Sequence, residues 1–141
     1  MSRLVVQHPR LADPAVAAFA DAVVRGDAVT IFGDGRQTRD FVPVANVVQC
    51  LIRAAAWDGA ADGRAFNVGM GRAETIRDVA TMMAAAAGAA DAPRFAAERP
   101  GDVRHSCADV SAARRELGYE PLVSLEQGLS ETIAWYRGQI G

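Results

Sequence analysis

All fifteen cationic side chains of this 141-residue chain are arginine, and lysine is absent. That absence removes the Schiff-base amine, the P-loop lysine and any Tyr-Lys proton relay. The remaining chemistry rests on guanidinium groups, seventeen carboxylates, two histidines, two thiols and two tyrosines. Three loop acids, Asp34, Asp40 and Asp102, stand too far apart in sequence for a paired-carboxylate mechanism to be argued from spacing, and solvation is their expected state. His105 and Cys107 alternate as two residues on one strand face would, but a metal site needs three or four ligands and no others cluster nearby. Gly33-Asp34-Gly35 and Gly69-Met70-Gly71 look like phosphate loops, yet neither has the spacing of a dinucleotide fingerprint, and turns are the simpler reading. Cys50 and Cys107 form no close pair, so both are expected to be buried thiols and not a disulfide.

The elements that must position these groups follow from periodicity and caps. Leu4-Val5-Val6 is a short apolar run. Asp13-Pro14 then supplies an N-cap and a first-turn proline for a helix with its stripe at Val16, Phe19, Ala20, Val23 and Val24, ending at Gly26. Val29 to Phe32 reads as a strand and Thr38 to Val42 as a second. Pro43 opens a helix whose expected buried face is Val44, Val47, Val48, Leu51, Ile52 and Ala55. Ala65 to Val68 reads as a third strand, after a loop at 57–63. Thr75 caps a helix carrying Ile76, Val79, Met82, Met83 and Ala86 as far as Gly88, and Arg94 to Glu98 reads as a further strand. Asp109 caps a short helix to Leu117. Ser124 with Gln127 forms a capping box for a last helix bearing Leu125, Leu129, Ile133 and Tyr136. The sum is an α/β domain of about five helices with short interleaved strands, over residues 1–141, with no internal repeat.

Composition excludes several functions. The formal charge is −2 with no basic run, so neither nucleic acid nor a membrane surface is an expected partner. No apolar stretch approaches the roughly 18 residues of a spanning helix and no secretory signal is visible, so a cytoplasmic location is expected.

Four blocks in a fixed order carry more weight than any one of them. Phe32-Gly33-Asp34-Gly35-Arg36-Gln37-Thr38-Arg39-Asp40-Phe41 is followed by Phe66-Asn67-Val68-Gly69, then by Arg99-Pro100-Gly101-Asp102 with Ala108-Asp109, then by Glu116-Leu117-Gly118-Tyr119-Glu120-Pro121. From about Pro9 to Arg137 the chain resembles the C-terminal substrate-binding lobe of the extended short-chain dehydrogenase/reductase family, the NAD-dependent nucleotide-sugar epimerases and dehydratases. The UDP-glucose 4-epimerase-like members are the most similar. The resemblance implies a clamp for the diphosphate of a UDP-sugar or related nucleotide sugar. Arg39 and Arg99 match the arginines that hold the pyrophosphate, a contact suited to guanidinium forks. Asp102 matches the acid on the ribose hydroxyls, since a carboxylate accepts two such hydrogen bonds. Phe32 matches the aromatic strand end beside the uracil.

The departures are equally specific. In the family, chemistry belongs to an N-terminal Rossmann lobe with a glycine-rich NAD loop and a Tyr-x-x-x-Lys pair. This sequence carries neither, and Tyr119 and Tyr136 lie in its closing segment. NAD is therefore implied for the parent enzyme, with none expected on this chain alone, and no residue is assigned a catalytic, cofactor-binding or metal-binding role. Where the family has Asn-Val-Tyr-Gly-Pro-Arg, this chain has Val5-Val6-Gln7-His8-Pro9-Arg10. Asn46 replaces a family acid at a helix start, giving up a charge interaction worth about 0.3–1 kcal/mol. Cys107 replaces a tyrosine and should loosen packing. Two functions compete on these residues. One is the substrate-binding part of an NAD-dependent epimerase or dehydratase, active only when a Rossmann lobe is supplied by the same gene upstream or by a partner chain. The other is a non-catalytic nucleotide-sugar-binding or protein-interaction module. A lobe separated from its partner should expose an apolar face.

Overall fold

Helix starts and stops follow the local chemistry of the caps. In the computed structural model, which describes residues 14–59, 63–89 and 92–140, α1 spans Pro14–Arg25 and passes into Gly26 at φ +81°. The Leu4–Val6 run, Val5, His8 and the Asp13 cap lie outside the described residues. The second helix, α2, spans Val44–Ala55 with Pro43 as its N-cap, so it begins one residue after the expected start at Pro43. α3 spans Ile76–Ala87, its Asp78 N–H donating to Thr75 Oγ1, and it ends at Gly88 in the left-handed conformation. α4 spans Ser111–Leu117 and α5 spans Leu125–Ile140. The N-cap of α4 is Val110 and not the expected Asp109, which lies one residue earlier and accepts the Ser111 N–H at 2.9 Å. Only half of the capping box forms on α5: Gln127 N–H donates to Ser124 Oγ, while the Gln127 side chain turns to Glu131.

The strands are short and fall into two pairs. β1 (Thr30–Phe32) lies parallel to β4 (Arg94–Ala96), with Phe32 opposite Ala96. β2 (Thr38–Arg39) lies antiparallel to β3 (Glu74–Thr75). β2 stops three residues before the expected Val42, and β4 two before Glu98. A further parallel bridge joins Thr38 to His105: Thr38 N–H donates to Arg104 O and Ser106 N–H to Thr38 O. Ala65 to Val68 is not a strand: its contact with the segment at Asp109 runs through the Asn67 side chain and not through a backbone ladder. Its alternation survives as packing, with Phe66 edge-on to Trp57 and Val68 turned toward a local apolar cluster.

The main core joins α1, α3 and α5 to β1. Phe19, Ala20 and Val23 meet Ile76, Val79, Ala80 and Met83, and Leu125, Leu129 and Ile133 close the layer over Ile31. Each such aliphatic side chain stabilises by about 1.5–3 kcal/mol when fully buried. A second cluster packs Cys50, Val110, Ala113, Leu117 and Tyr119.

One expected face is reversed. Of the predicted face, Val44, Val48 and Ile52 are 76%, 47% and 65% exposed and Ala55 is exposed, Val47 and Leu51 are half-buried, and the fully buried positions are Asn46 and Cys50. The amide of Asn46 decides the orientation. Its Oδ1 accepts Leu122 and Val123 N–H, both at 2.9 Å, and its Nδ2 donates to Val123 O at 2.8 Å. An aspartate could accept those bonds but could not supply the third. What the sequence presents as a lost helix charge is thus a staple between α2 and the segment leading into α5. The thiols also divide: Cys50 is buried as expected, whereas Cys107 is exposed because it lies on the irregular segment beyond the His105 bridge.

Candidate functional site

The β1–β4 pairing and the Thr38–His105 bridge bring distant residues together. β1 ends at Phe32, and Gly33 N–H donates to Ala96 O across the β1–β4 pair, so the chain leaving β4 runs past the phenyl ring. Three residues beyond Ala96, the Arg99 guanidinium lies over that ring, 3.8 Å from its centroid, in cation–π contact. The turn then doubles back, Asp102 N–H donating to Arg99 O and Gly101 taking φ +81°. It delivers the Asp102 carboxylate to Arg39, with Nη2 to Oδ1 at 2.5 Å. Arg39 is steadied from β2 by a second bond, Nη1 to Thr38 O at 2.9 Å. All four residues marked by the resemblance are therefore brought together, as two partnered pairs that are joined by one turn.

The flanking turns are held as tightly. Gly35 has φ +72°, and a Cβ there would stand 3.2 Å from Ile31 Cγ2, so glycine is required. Asp34 accepts the Arg36 N–H at 2.9 Å and the Arg104 guanidinium at 2.9 Å. Those partners, the Arg36 N–H foremost, hold its carboxyl below the usual carboxylate range. Gln37 Nε2 donates to Phe32 O at 2.7 Å, fixing the strand end that presents the ring.

Sequence reasoning missed Asp40. It was expected to be a solvated loop acid, as were Asp34 and Asp102, and none of the three stands free. Asp40 accepts N–H bonds from Met70 at 2.8 Å, Gly71 at 3.0 Å and Ala108 at 3.2 Å. The Gly69-Met70-Gly71 turn thus points its amides at an internal carboxylate, which is why it looks like a phosphate loop without being free to act as one. Gly69 is obligatory there, since a Cβ would meet Asp40 Oδ2 at 2.5 Å. The signal was present in sequence only as an aspartate adjoining a site arginine, and three backbone donors from two other segments cannot be inferred from that.

Other chemistry-bearing residues serve structure. Tyr119 is fully buried, donates to Gly69 O at 2.8 Å, and has its phenol pushed up to about 12 by burial. His105 Nδ1 is 3.0 Å from Thr38 Oγ1, a contact within the bridge that orients the Arg99–Asp102 turn. Partial desolvation by the neighbouring chain, then the Asp40 charge and its hydrogen bond, raises the Cys107 thiol although the residue is exposed. Among the described residues no three potential metal ligands cluster, and no helix is long and apolar enough to cross a membrane.

Neither glycine turn is built as a dinucleotide loop. The first glycine turn leads from β1 into β2 and opens no helix, and the amides of the second are taken by Asp40. A groove of about 640 Å³ adjoins the site between the β2–α2 connection and α5, with Arg39, Phe41, Pro43, Val44, Leu129 and Thr132 on its walls. Of the four convergent residues only Arg39 lines it. Through Val44 it continues into the exposed apolar stripe of α2.

Known proteins place this geometry in context. Residues 6–132 match the family model described as GDP-mannose 4,6 dehydratase. The chain is 40% identical over 133 residues to a UDP-glucose 4-epimerase of Mycolicibacterium smegmatis, covering 94% of this chain and 42% of that protein. To a dTDP-glucose 4,6-dehydratase of Actinoplanes it is 32% identical over 123 residues, covering 86% and 38%. The UDP-glucose 4-epimerase of Thermotoga maritima, solved with UDP-glucose, superposes with a TM-score of 0.82 at 37% identity, covering 89% of this chain and 40% of that one. The UDP-glucuronic acid 4-epimerase of Bacillus cereus, solved with UDP-glucuronic acid and NAD, superposes with a TM-score of 0.80 at 30% identity, covering 92% and 41%. The chain thus spans about two fifths of the length of these relatives.

Proposed function

The chain belongs to the family described as GDP-mannose 4,6 dehydratase, among the NAD-dependent nucleotide-sugar epimerases and dehydratases, and from that membership we propose that it is the substrate-binding part of such an enzyme. It clamps the nucleotide diphosphate of a UDP-sugar or related nucleotide sugar and is not catalytic alone. The observation that carries this reading is the convergence of Phe32, Arg39, Arg99 and Asp102 from two segments more than sixty residues apart. An aromatic face, two guanidinium groups and a carboxylate suit a base, a diphosphate and a ribose diol respectively.

In this assignment the arginines neutralise and orient the diphosphate, and Asp102 accepts hydroxyl protons. Gln37 and the Thr38 bridge hold both in register. NAD supplies the hydride chemistry in the enzymes of this family. The exposed stripe of Val44, Val48 and Ile52 supports a missing NAD-binding lobe, in the same gene product or a partner chain. A helix this apolar on its open face needs cover, and the groove beside Arg39 extends the same surface.

Calorimetric titration of the chain with UDP, UDP-glucose and NAD tests the reading. UDP and UDP-glucose bind, NAD does not, and Arg39→Ala and Arg99→Ala each weaken UDP by about tenfold or more. A folded chain that takes up none of the three defeats the clamp and leaves a protein-interaction module as the surviving reading.

A further inference from the structure

The two arginines of the clamp are already engaged, and by groups from a single turn. Asp102 holds Arg39 at 2.5 Å, with Arg39 only 16% exposed and Asp102 33% exposed. Three residues earlier, the planar Arg99 group covers the Phe32 ring. Within the nucleotide reading above, we propose that this arrangement sets specificity: the Arg39–Asp102 pair refuses bare phosphate anions and yields only to a ligand offering phosphate and neighbouring hydroxyls together.

A free phosphate or pyrophosphate approaching Arg39 meets a guanidinium whose charge is already matched. To bind, it must lie against the Asp102 carboxylate, where like charges a few ångströms apart repel, or displace that carboxylate from its partner with nothing offered in return. A nucleoside diphosphate meets the same carboxylate but offsets the loss of the pair. Its phosphate replaces Asp102 on Arg39, its ribose hydroxyls donate to the released Asp102, and its base takes the Phe32 face. Arg99 is thereby freed toward the second phosphate. Each group gives up one partner and gains another, and no charge is left bare. The turn can make that exchange because Arg99 and Asp102 are exposed and Gly101 is its hinge, while Arg39 stays fixed to Thr38 O.

Calorimetry at fixed ionic strength with UDP and inorganic pyrophosphate, on the unaltered chain and on Asp102→Asn and Asp102→Ala, reads this directly. On the unaltered chain pyrophosphate binds at least about tenfold more weakly than UDP. Either substitution tightens pyrophosphate by about fivefold while UDP weakens, so the preference for nucleotide collapses. A measurement needing no substitution repeats the test: 2′,3′-dideoxyuridine diphosphate, which lacks the diol, falls toward the affinity of pyrophosphate. If UDP binds but pyrophosphate is unchanged or weaker in both folded variants, or if the dideoxy compound binds as UDP does, the exclusion role is overturned and the nucleotide clamp stands. If UDP itself fails to bind the unaltered chain, the clamp falls and this inference falls with it.

Discussion

The two apolar clusters of this molecule treat their helices in opposite ways. Around Met83 and Ile31, the stripes of α1, α3 and α5 meet one another, and each apolar face has its complement within the chain. Around Cys50 and Tyr119, α2 turns a polar amide inward and its aliphatic stripe outward. One cluster is held by area and the other by directed hydrogen bonds. Periodicity thus reports that a helix has an apolar face, but says nothing of which partner covers it.

The contrast can be broken most severely at Asn46. Asn46→Ala leaves two N–H groups and a carbonyl without the partner they now share, an expected loss of about 4 kcal/mol in urea unfolding. Asn46→Asp keeps the acceptor and should fall between the two. In the closed cluster, Met83→Ala creates a cavity and costs about 3 kcal/mol, with no hydrogen bond at stake. If Met83 were the costlier of the two, the staple would not be the dominant tie in the open region.

Tyr119 sharpens the comparison through pH. Its phenol titrates near 10 when unfolded and about 12 when folded, so it adds no pH dependence below 10. Between those values the unfolded chain ionises first, and stability falls as pH rises through the window. Tyr119→Phe should flatten that alkaline limb while costing about 1.5 kcal/mol at neutral pH, from the unpaired Gly69 carbonyl. Unfolding midpoints at pH 8 and pH 11 for the two proteins check both statements.

The smallest effect is expected on the outward stripe. Val48→Ser with Ile52→Ser should change the stability of the chain by less than about 0.5 kcal/mol, since both side chains already face solvent. Binding of a hydrophobic dye should fall in the same variant. A large loss of stability would place these residues in a core and remove the argument for a missing cover.

The legible part of the fold is the part determined by neighbours in sequence. The Thr75 cap, the Gly26 and Gly88 stops and the inward stripes of α1, α3 and α5 all depend on residues within four positions, and all appear as expected. The α2 orientation depends on Leu122 and Val123, more than seventy positions away, and sequence periodicity pointed the wrong way. Phe66 and Val68 carry a strand pattern without a ladder, because pairing needs a neighbour that no pattern within the segment supplies. At the site, the residue types were readable through ordered motifs, whereas the pairing of Arg39 with Asp102 and of Arg99 with Phe32 was not. Those contacts follow from the Thr38–His105 bridge, which has no local signature. Asp40 was read as solvated for the same reason.

That bridge also bears on the order in which the molecule comes together. The helices need only local contacts, but Thr38 must find His105 and β1 must find β4 across more than sixty residues, and closing such long loops is slow relative to helix formation. The pocket-forming turn is therefore among the last parts to settle. During refolding, helical circular dichroism should recover before the capacity to bind UDP, and a nucleotide present from the start should not hasten the early phase. A chain that has regained its helices is not yet one that recognises a ligand.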